Sequence, residues 1–338
     1  MKRTLLIIHP GALGDVLLAV PAIRRLSVRF PQHEIVLIAA AAVSRLLLEC
    51  GVISDWLPLE GRACLGLFSG ASSISKELYS CVNRCDRAVV WMEDKEGVLG
   101  SFFQEFGIPN VQIQSPFSKG LRATHQSDRF LETLGEPTRE SLSETTVQVP
   151  PHLLERGKDS LDALGISQEQ SLVLVHPGSG SVHKRLESRK MASLIEGLWE
   201  KGMYPLIVEG PADQDAVAQT LHFVSRAPRV LRGLDLSQLA GVFAQVALYI
   251  GHDSGVTHLS ALLGVPTIAL FGPTDYHRWA PQGHHVTILR GSPCICESWA
   301  TVKMCEGKPC LQVPIEKILI ASGLAIRRAS SANPRYST

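Results

Sequence analysis

Short apolar runs of strand length alternate along this chain with stretches whose apolar residues recur every three or four positions. Thr4–Ile8, Glu34–Ala39, Ala88–Met92 and Asn110–Gln114 have the first character. Val16, Leu17, Val20, Ile23 and Leu26, and the segment His125–Leu134, have the second. The alternation restarts at Ser171–Val175 and continues through Tyr204–Val208, Leu248–Gly251 and Pro266–Phe271. Helical spacing covers Met191, Leu194, Ile195 and Leu198, and again Leu236–Ala244. Strands and helices in strict alternation predict an α/β fold built on parallel, helix-covered sheets.

At 338 residues the chain exceeds what one hydrophobic core usually supports, so two domains are expected. The boundary falls in Gly135–Pro151, which carries Pro137, Pro150 and Pro151 among several Ser and Thr. This divides the chain into a domain over 1–150, a second over 151–325 and a flexible tail over 326–338. Gly61–Ser75, rich in Gly and Ser, reads as a mobile loop, and Pro314–Ala325 as a closing helix.

Composition narrows the class. Hydrophobic residues make up 45% and charged residues 19%, the balance of a globular protein. A formal net charge of +1 provides no bulk field to recruit nucleic acid. The apolar run after Lys2-Arg3 is broken by His9-Pro10-Gly11, too early for a secretory leader, and no run reaches the length of a membrane span. A cytoplasmic protein is expected.

Candidate chemistry sits where strands end. Leu248–Gly251 runs into Asp253-Ser254-Gly255, and His258 follows one turn into a helical stretch that leads to the next strand and Gly272-Pro273-Thr274. Open α/β sheets bind ligands at this edge, and a helix start offers N–H groups and partial positive charge to a phosphate. Capping by Asp253 or Ser254 would account for part of the pattern but not for His258 beside a second strand end. Ser171–Val175 ends in His176-Pro177-Gly178-Ser179-Gly180-Ser181, then Lys184-Arg185, a small-residue loop and a cation suited to a diphosphate or simply a solvated basic turn. Glu209, after Tyr204–Val208, can accept from ribose hydroxyls or cap the following helix. Thr4–Ile8 ends in His9-Pro10-Gly11-Ala12-Leu13-Gly14-Asp15. Its two glycines permit a tight turn, and Asp15 reads as a helix cap or as a carboxylate facing a ligand. This spacing is neither a dinucleotide fingerprint nor a P-loop.

Taken together, GALGD after the first strand, HPGSGS with Lys184-Arg185, and GHDSGVTHLSALLGVPTIALFGPT resemble glycosyltransferase family 9, the ADP-heptose:lipopolysaccharide heptosyltransferases. The likeness runs from about residue 3 to about residue 320 and is most specific at 248–275. It implies the GT-B architecture, two Rossmann-like doubly wound domains facing across a cleft, with the acceptor on the first domain, the nucleotide-sugar donor on the second, and the closing helix packed back on the first. It implies an inverting, metal-independent transfer without a cofactor, from an ADP-sugar to a lipopolysaccharide core or lipid-linked glycan, at most peripheral to the inner membrane. Carried over by position, Asp15 becomes the general base, with Gly11 and Gly14 in the loop beside it. Ser179, Ser181 and Lys184 lie by the diphosphate, Glu209 by the nucleoside, and Asp253, Ser254, Gly255 and His258 by the sugar and phosphates, with Thr274 a further contact. The family often places Trp-Pro after the Lys-Arg pair, where this chain has Leu186-Glu187. No Asp-x-Asp motif follows a strand of the first domain, so a bound Mg²⁺ is not required.

Cys294, Cys296, Cys305 and Cys310 gather within Pro293–Leu311, and neither half has the Cys-x-x-Cys spacing of a standard metal site. One intervening residue strains simultaneous chelation by Cys294 and Cys296, so reduced structural cysteines or a local disulfide are expected before a metal ion, and no metal is assigned. Two other functions fit fewer of the motifs. One is a GT-B-type nucleotide-sugar epimerase or hydrolase, and the other a non-catalytic cysteine-centred metal or redox module.

Overall fold

A computed structural model describes residues 3–69, 74–137, 146–166 and 171–332. Part of the Gly61–Ser75 loop, the middle of the Gly135–Pro151 segment and residues 333–338 lie outside the described residues. The chain divides into two units, Met1–Thr145 and Thr146–Thr338.

The first unit is a five-stranded parallel sheet: β1 (Arg3–Ile8), β2 (His33–Ala39), β3 (Asp55–Pro58), β4 (Cys85–Val90) and β5 (Asn110–Ile113), in the order β3-β2-β1-β4-β5. Leu6 and Ile8 of β1 join Val36, Ile38, Ala88, Val90, Phe102 and Phe103 in one core, while Leu5 and Ile7, on the opposite face, are equally buried. A strand covered on both faces is apolar on both, which explains why Leu5–Ile8 of β1 read as an unbroken run. Not all of the expected Gly61–Ser75 loop is irregular. Arg62–Cys64 and Gly66–Ser69 form two short helical turns whose Cys64 and Leu67 are buried in that core.

The second unit is a six-stranded parallel sheet: β6 (Leu172–His176), β7 (Tyr204–Glu209), β8 (Arg229–Arg232), β9 (Leu248–His252), β10 (Thr267–Leu270) and β11 (Val286–Leu289), in the order β11-β10-β9-β6-β7-β8. The helix Ser188–Glu200 lays Met191, Leu194, Ile195 and Leu198 against Val173, Val175, Ile250 and Ile268. Among the remaining helices, Pro151–Asp162 and Leu236–Phe243 cross in close contact. Gly157 and Gly241 meet there, and a Cβ on Gly157 would fall 2.0 Å from the Gly241 carbonyl carbon.

The closing helix spans Ile315–Ala332, so it continues through residues 326–332 of the expected tail. It packs on the second unit's own sheet, where Ile318 and Leu319 are buried in the core beside Leu198 and Leu270. No helix among the described residues is long and apolar enough to cross a membrane.

Three strands escaped the reading of the apolar pattern: β3, β8 and β11. All lie at sheet edges, are four residues long and are only partly buried, so they lack an unbroken apolar run.

Candidate functional site

In each sheet the chain starts centrally, builds to one side, then crosses to the other. The switch lies between β1 and β4 in the first unit and between β6 and β9 in the second. Loops leaving the carboxyl ends of strands at such a switch diverge and leave a crevice. The loops after β6 and β9 hold most of the residues expected to bind a donor.

Lys184 ends a short 3₁₀ turn, Val182–Lys184, and its Nζ donates to Asp253 Oδ2 at 2.7 Å. The lysine side chain is 22% exposed and the aspartate 8%, so the pair opens to solvent from the lysine side. Lys184 Nζ also stands 5.7 Å from the centre of the Trp299 ring, within cation–π reach. Ser179 Oγ donates to the Asp253 carbonyl at 2.8 Å and ties the two loops together. Ser181 caps the 3₁₀ turn by accepting the His183 N–H at 3.3 Å.

After β9 the helix Gly255–Leu262 begins, with Ser254 as its N-cap. A helix start leaves its first N–H groups without intrahelical partners; the Ser254 hydroxyl takes that of Thr257, at 3.4 Å. His258 is buried one turn in, and its backbone N–H reaches the Ser254 carbonyl at 3.3 Å.

Three residues to which the sequence reading gave no role organise these loops. His252, the last residue of β9, is fully buried; its Nε2 accepts the Leu186 N–H at 2.8 Å and its Nδ1 lies 3.1 Å from the Gly178 carbonyl. A neutral ring with the proton on Nδ1 satisfies both contacts. Burial depresses its pKa to about 4, against the opposing pull of the Gly178 carbonyl. One ring therefore clamps the start and the end of the phosphate-type loop. Leu186, where the family pattern differs, is itself buried in the core, so the loop closes normally.

His176 and Asp213 link a third strand end. His176 Nε2 lies 2.9 Å from Asp213 Oδ2, which also accepts the Gly210 N–H at 3.0 Å; His176 Nδ1 faces Ser254 Oγ at 3.5 Å. Burial disfavours the Asp213 charge, but the hydrogen bond and charge of His176, with the Gly210 N–H, outweigh it and hold the carboxyl below its usual range. Gly178 packs on this carboxylate, since a Cβ there would lie 1.8 Å from Asp213 Oδ1. A strand-terminal His and a following Asp were the signals available in the sequence. Nothing in their spacing pairs them.

Glu209, at the end of β7, accepts from Arg232 Nε on β8 at 3.1 Å, while the following helix Gln214–Leu221 has Asp213 as its N-cap. It belongs to the same sheet edge but makes no direct hydrogen bond to the Lys184–Asp253 pair among the described residues. Thr274 follows β10, and its Oγ1 is buried without a hydrogen-bond partner among the described residues.

In the first unit, His9 is buried against Trp91 and Phe130 and accepts the Gly11 N–H at 3.0 Å. Burial lowers its pKa to about 4. Gly11 admits no side chain, because a Cβ would meet His9 Cε1 at 2.5 Å. Gly14 and Asp15 occupy the first turn of the helix Leu13–Leu18, and Asp15 Oδ2 accepts the Ala12 N–H at 3.2 Å. Asp15 thus makes the cap contact and is also half-buried at the carboxyl edge of its sheet.

The model of glycosyltransferase family 9 (heptosyltransferase) matches residues 102–304. The chain is 28% identical over 149 residues to lipopolysaccharide heptosyltransferase 3 of Escherichia coli, a match covering 43% of each chain and so less than half of that relative's length. A solved family 9 glycosyl transferase from Veillonella parvula superposes with a TM-score of 0.82 at 18% identity, covering 96% of this chain and 98% of that one. For the E. coli ADP-heptose LPS heptosyltransferase II the TM-score is 0.76 at 20% identity, with 97% and 99% covered. The two parallel-sheet units thus have the fold of GT-B heptosyltransferases.

Proposed function

Because this chain belongs to glycosyltransferase family 9 (heptosyltransferase), we propose that it is an inverting, metal-independent transferase moving heptose from an ADP-sugar to a lipopolysaccharide core or related glycan. The observation that carries this reading is Lys184. It is held by Asp253 at a topological switch point, next to the helix start at Ser254-Gly255, and is open to solvent. A cation and a helix N-terminus side by side form a receptor for a diphosphate leaving group.

In this mechanism the acceptor hydroxyl attacks the anomeric carbon as the bond from that carbon to the diphosphate oxygen breaks, and the configuration inverts. Asp15 takes the hydroxyl proton as general base. Lys184 and the Ser254-Gly255 N–H groups receive the charge that develops on the departing ADP. Asp253 orients Lys184 and, with His258, meets the sugar; Ser179 and Ser181 shape the phosphate loop. Glu209, braced by Arg232, accepts from the ribose, and Thr274 is an additional donor contact. The first unit is the acceptor side and the second the donor side. The site of action is the cytoplasmic face of the inner membrane, at the surface where a lipid-linked acceptor would be met.

The test is to incubate the protein with ADP-heptose and heptose-deficient lipopolysaccharide, following ADP release and acceptor mass. Acceptor-dependent ADP release with one heptose added is expected. Donor consumed equally without acceptor would overturn the transferase reading in favour of a hydrolase or epimerase.

A further inference from the structure

We infer that Cys294, Cys296, Cys305 and Cys310 form a tetrathiolate site for one zinc- or iron-class ion, which folds the segment 291–312. The ligand atoms of Cys294, Cys296 and Cys305 all lie within 4.8 Å of one another. Cys294 Sγ is 2.9 Å from Cys296 Sγ, and the Cys310 thiol is near enough to interact with that of Cys294. The one-residue spacing that looked unfavourable in sequence is resolved locally: Ile295 is 96% exposed while both flanking thiols meet on the other side of the chain. Around a tetrahedral ion with metal–sulfur bonds of about 2.3 Å, sulfurs sit roughly 3.8 Å apart, so Cys294, Cys296 and Cys305 need only a small rearrangement, and Cys310 must close on them as the fourth ligand.

Two further observations favour an ion over idle thiols. First, the segment has little apolar anchorage. Ile295 and Met304 are 96% and 74% exposed and Trp299 is also exposed, while Val302, Cys310 and Leu311 are buried. A stretch with so small a core needs a crosslink to hold one conformation. Second, its ends are pinned together. The Gly291 N–H donates to the Cys310 carbonyl at 2.8 Å, and a Cβ on Gly291 would strike the Pro309 carbonyl oxygen at 2.2 Å. This closure delivers Cys310 to the other three thiols. In binding, four thiols lose their protons to solvent and four metal–sulfur bonds form, with no change of oxidation state.

The closed segment also lies on the loop that carries Lys184. Trp299 stands beside the lysine, and Lys308 Nζ donates to the Val182 carbonyl at 3.5 Å. A consequence for donor binding rests on the proposed role of Lys184, whereas metal content does not.

The experiment is elemental analysis of the full chain, purified without chelator from medium containing zinc and iron. About one ion per chain is expected. Cys305→Ser and Cys310→Ser should each lose most of it, and Cys50→Ser, in the other unit, should retain it. Should the serine variants fail to fold, cobalt(II) added to chelated wild-type protein gives an independent readout. Intense visible bands of tetrahedral cobalt with sulfur-to-cobalt charge transfer are expected. Background metal together with no tetrahedral cobalt spectrum would overturn the proposal. So would a Cys294–Cys296 disulfide in protein kept anaerobic throughout.

Discussion

Replacing Lys184 by Ala removes two things at once, and the structure allows them to be separated. In the free protein, Lys184→Ala leaves Asp253, with a side chain 8% exposed, without its 2.7 Å partner. The lysine is 22% exposed, so solvent screens part of the pair, and the stability cost should fall near 1–3 kcal/mol, between exposed and fully buried pairs. In the complex with ADP, a charge-assisted contact worth about 1.5–3 kcal/mol is lost, which is roughly a 10- to 150-fold weaker Kd. The bound diphosphate would then face an uncompensated Asp253, which moves the expected loss toward the upper end of that range. Calorimetry with ADP on wild type, Lys184→Ala, Asp253→Ala and the double variant forms the cycle that apportions these effects. If Lys184 contacts phosphate, its removal should weaken ADP binding even in the Asp253→Ala background. Folded Lys184→Ala protein with ADP affinity within about twofold of wild type would refute the reasoning, since that difference is only a few tenths of a kcal/mol. Loss in the single variant that vanishes in the double one would refute it too, reducing Lys184 to a prop for Asp253.

Asp15→Asn keeps the shape and the Ala12 contact but loses basicity, so turnover at saturating donor should fall by about 10²–10⁴ with melting temperature nearly unchanged; near-wild-type turnover would leave Asp15 as a cap only. His9 and His252, buried with pKa values near 4, are neutral in the folded units and take up protons first in the unfolded chain. Their contribution is therefore complete above about pH 6.5 and falls by about 1.4 kcal/mol per pH unit for each ring as pH drops toward 4. Urea midpoints that stay flat or rise from pH 7 to 5 would contradict this. Gly178→Ala should cost about 1–3 kcal/mol by driving a methyl into Asp213, whereas Gly180→Ala, with open space around its Cβ, should be near neutral; equal melting temperatures would show that the loop yields freely.

The sequence by itself determined the sheet cores and the polar loops that leave their carboxyl edges. β1, β6 and β9 lie centrally, with both faces buried, so their interior positions are constrained to be apolar and the runs stand out. Their ends carry Gly, Ser, Asp and Lys because a tight strand-to-helix turn needs small residues and polar groups, so Lys184, Asp253 and Ser254 were visible in one dimension. Tertiary structure alone decided the edge strands and the pairings. β3, β8 and β11 bury too little to constrain composition, and their pairing is enforced by backbone hydrogen bonding to a neighbour already in place. The contacts His176–Asp213, His252–Leu186 and Lys184–Asp253 join residues 37, 66 and 69 positions apart, and no local propensity encodes a partner at that distance. The cysteines follow the same rule. Their spacing suggested little, yet Cys294, Cys296 and Cys305 cluster and closure of the chain between Gly291 and Cys310 returns a fourth thiol toward them, because side chains meet where the backbone has been made to turn.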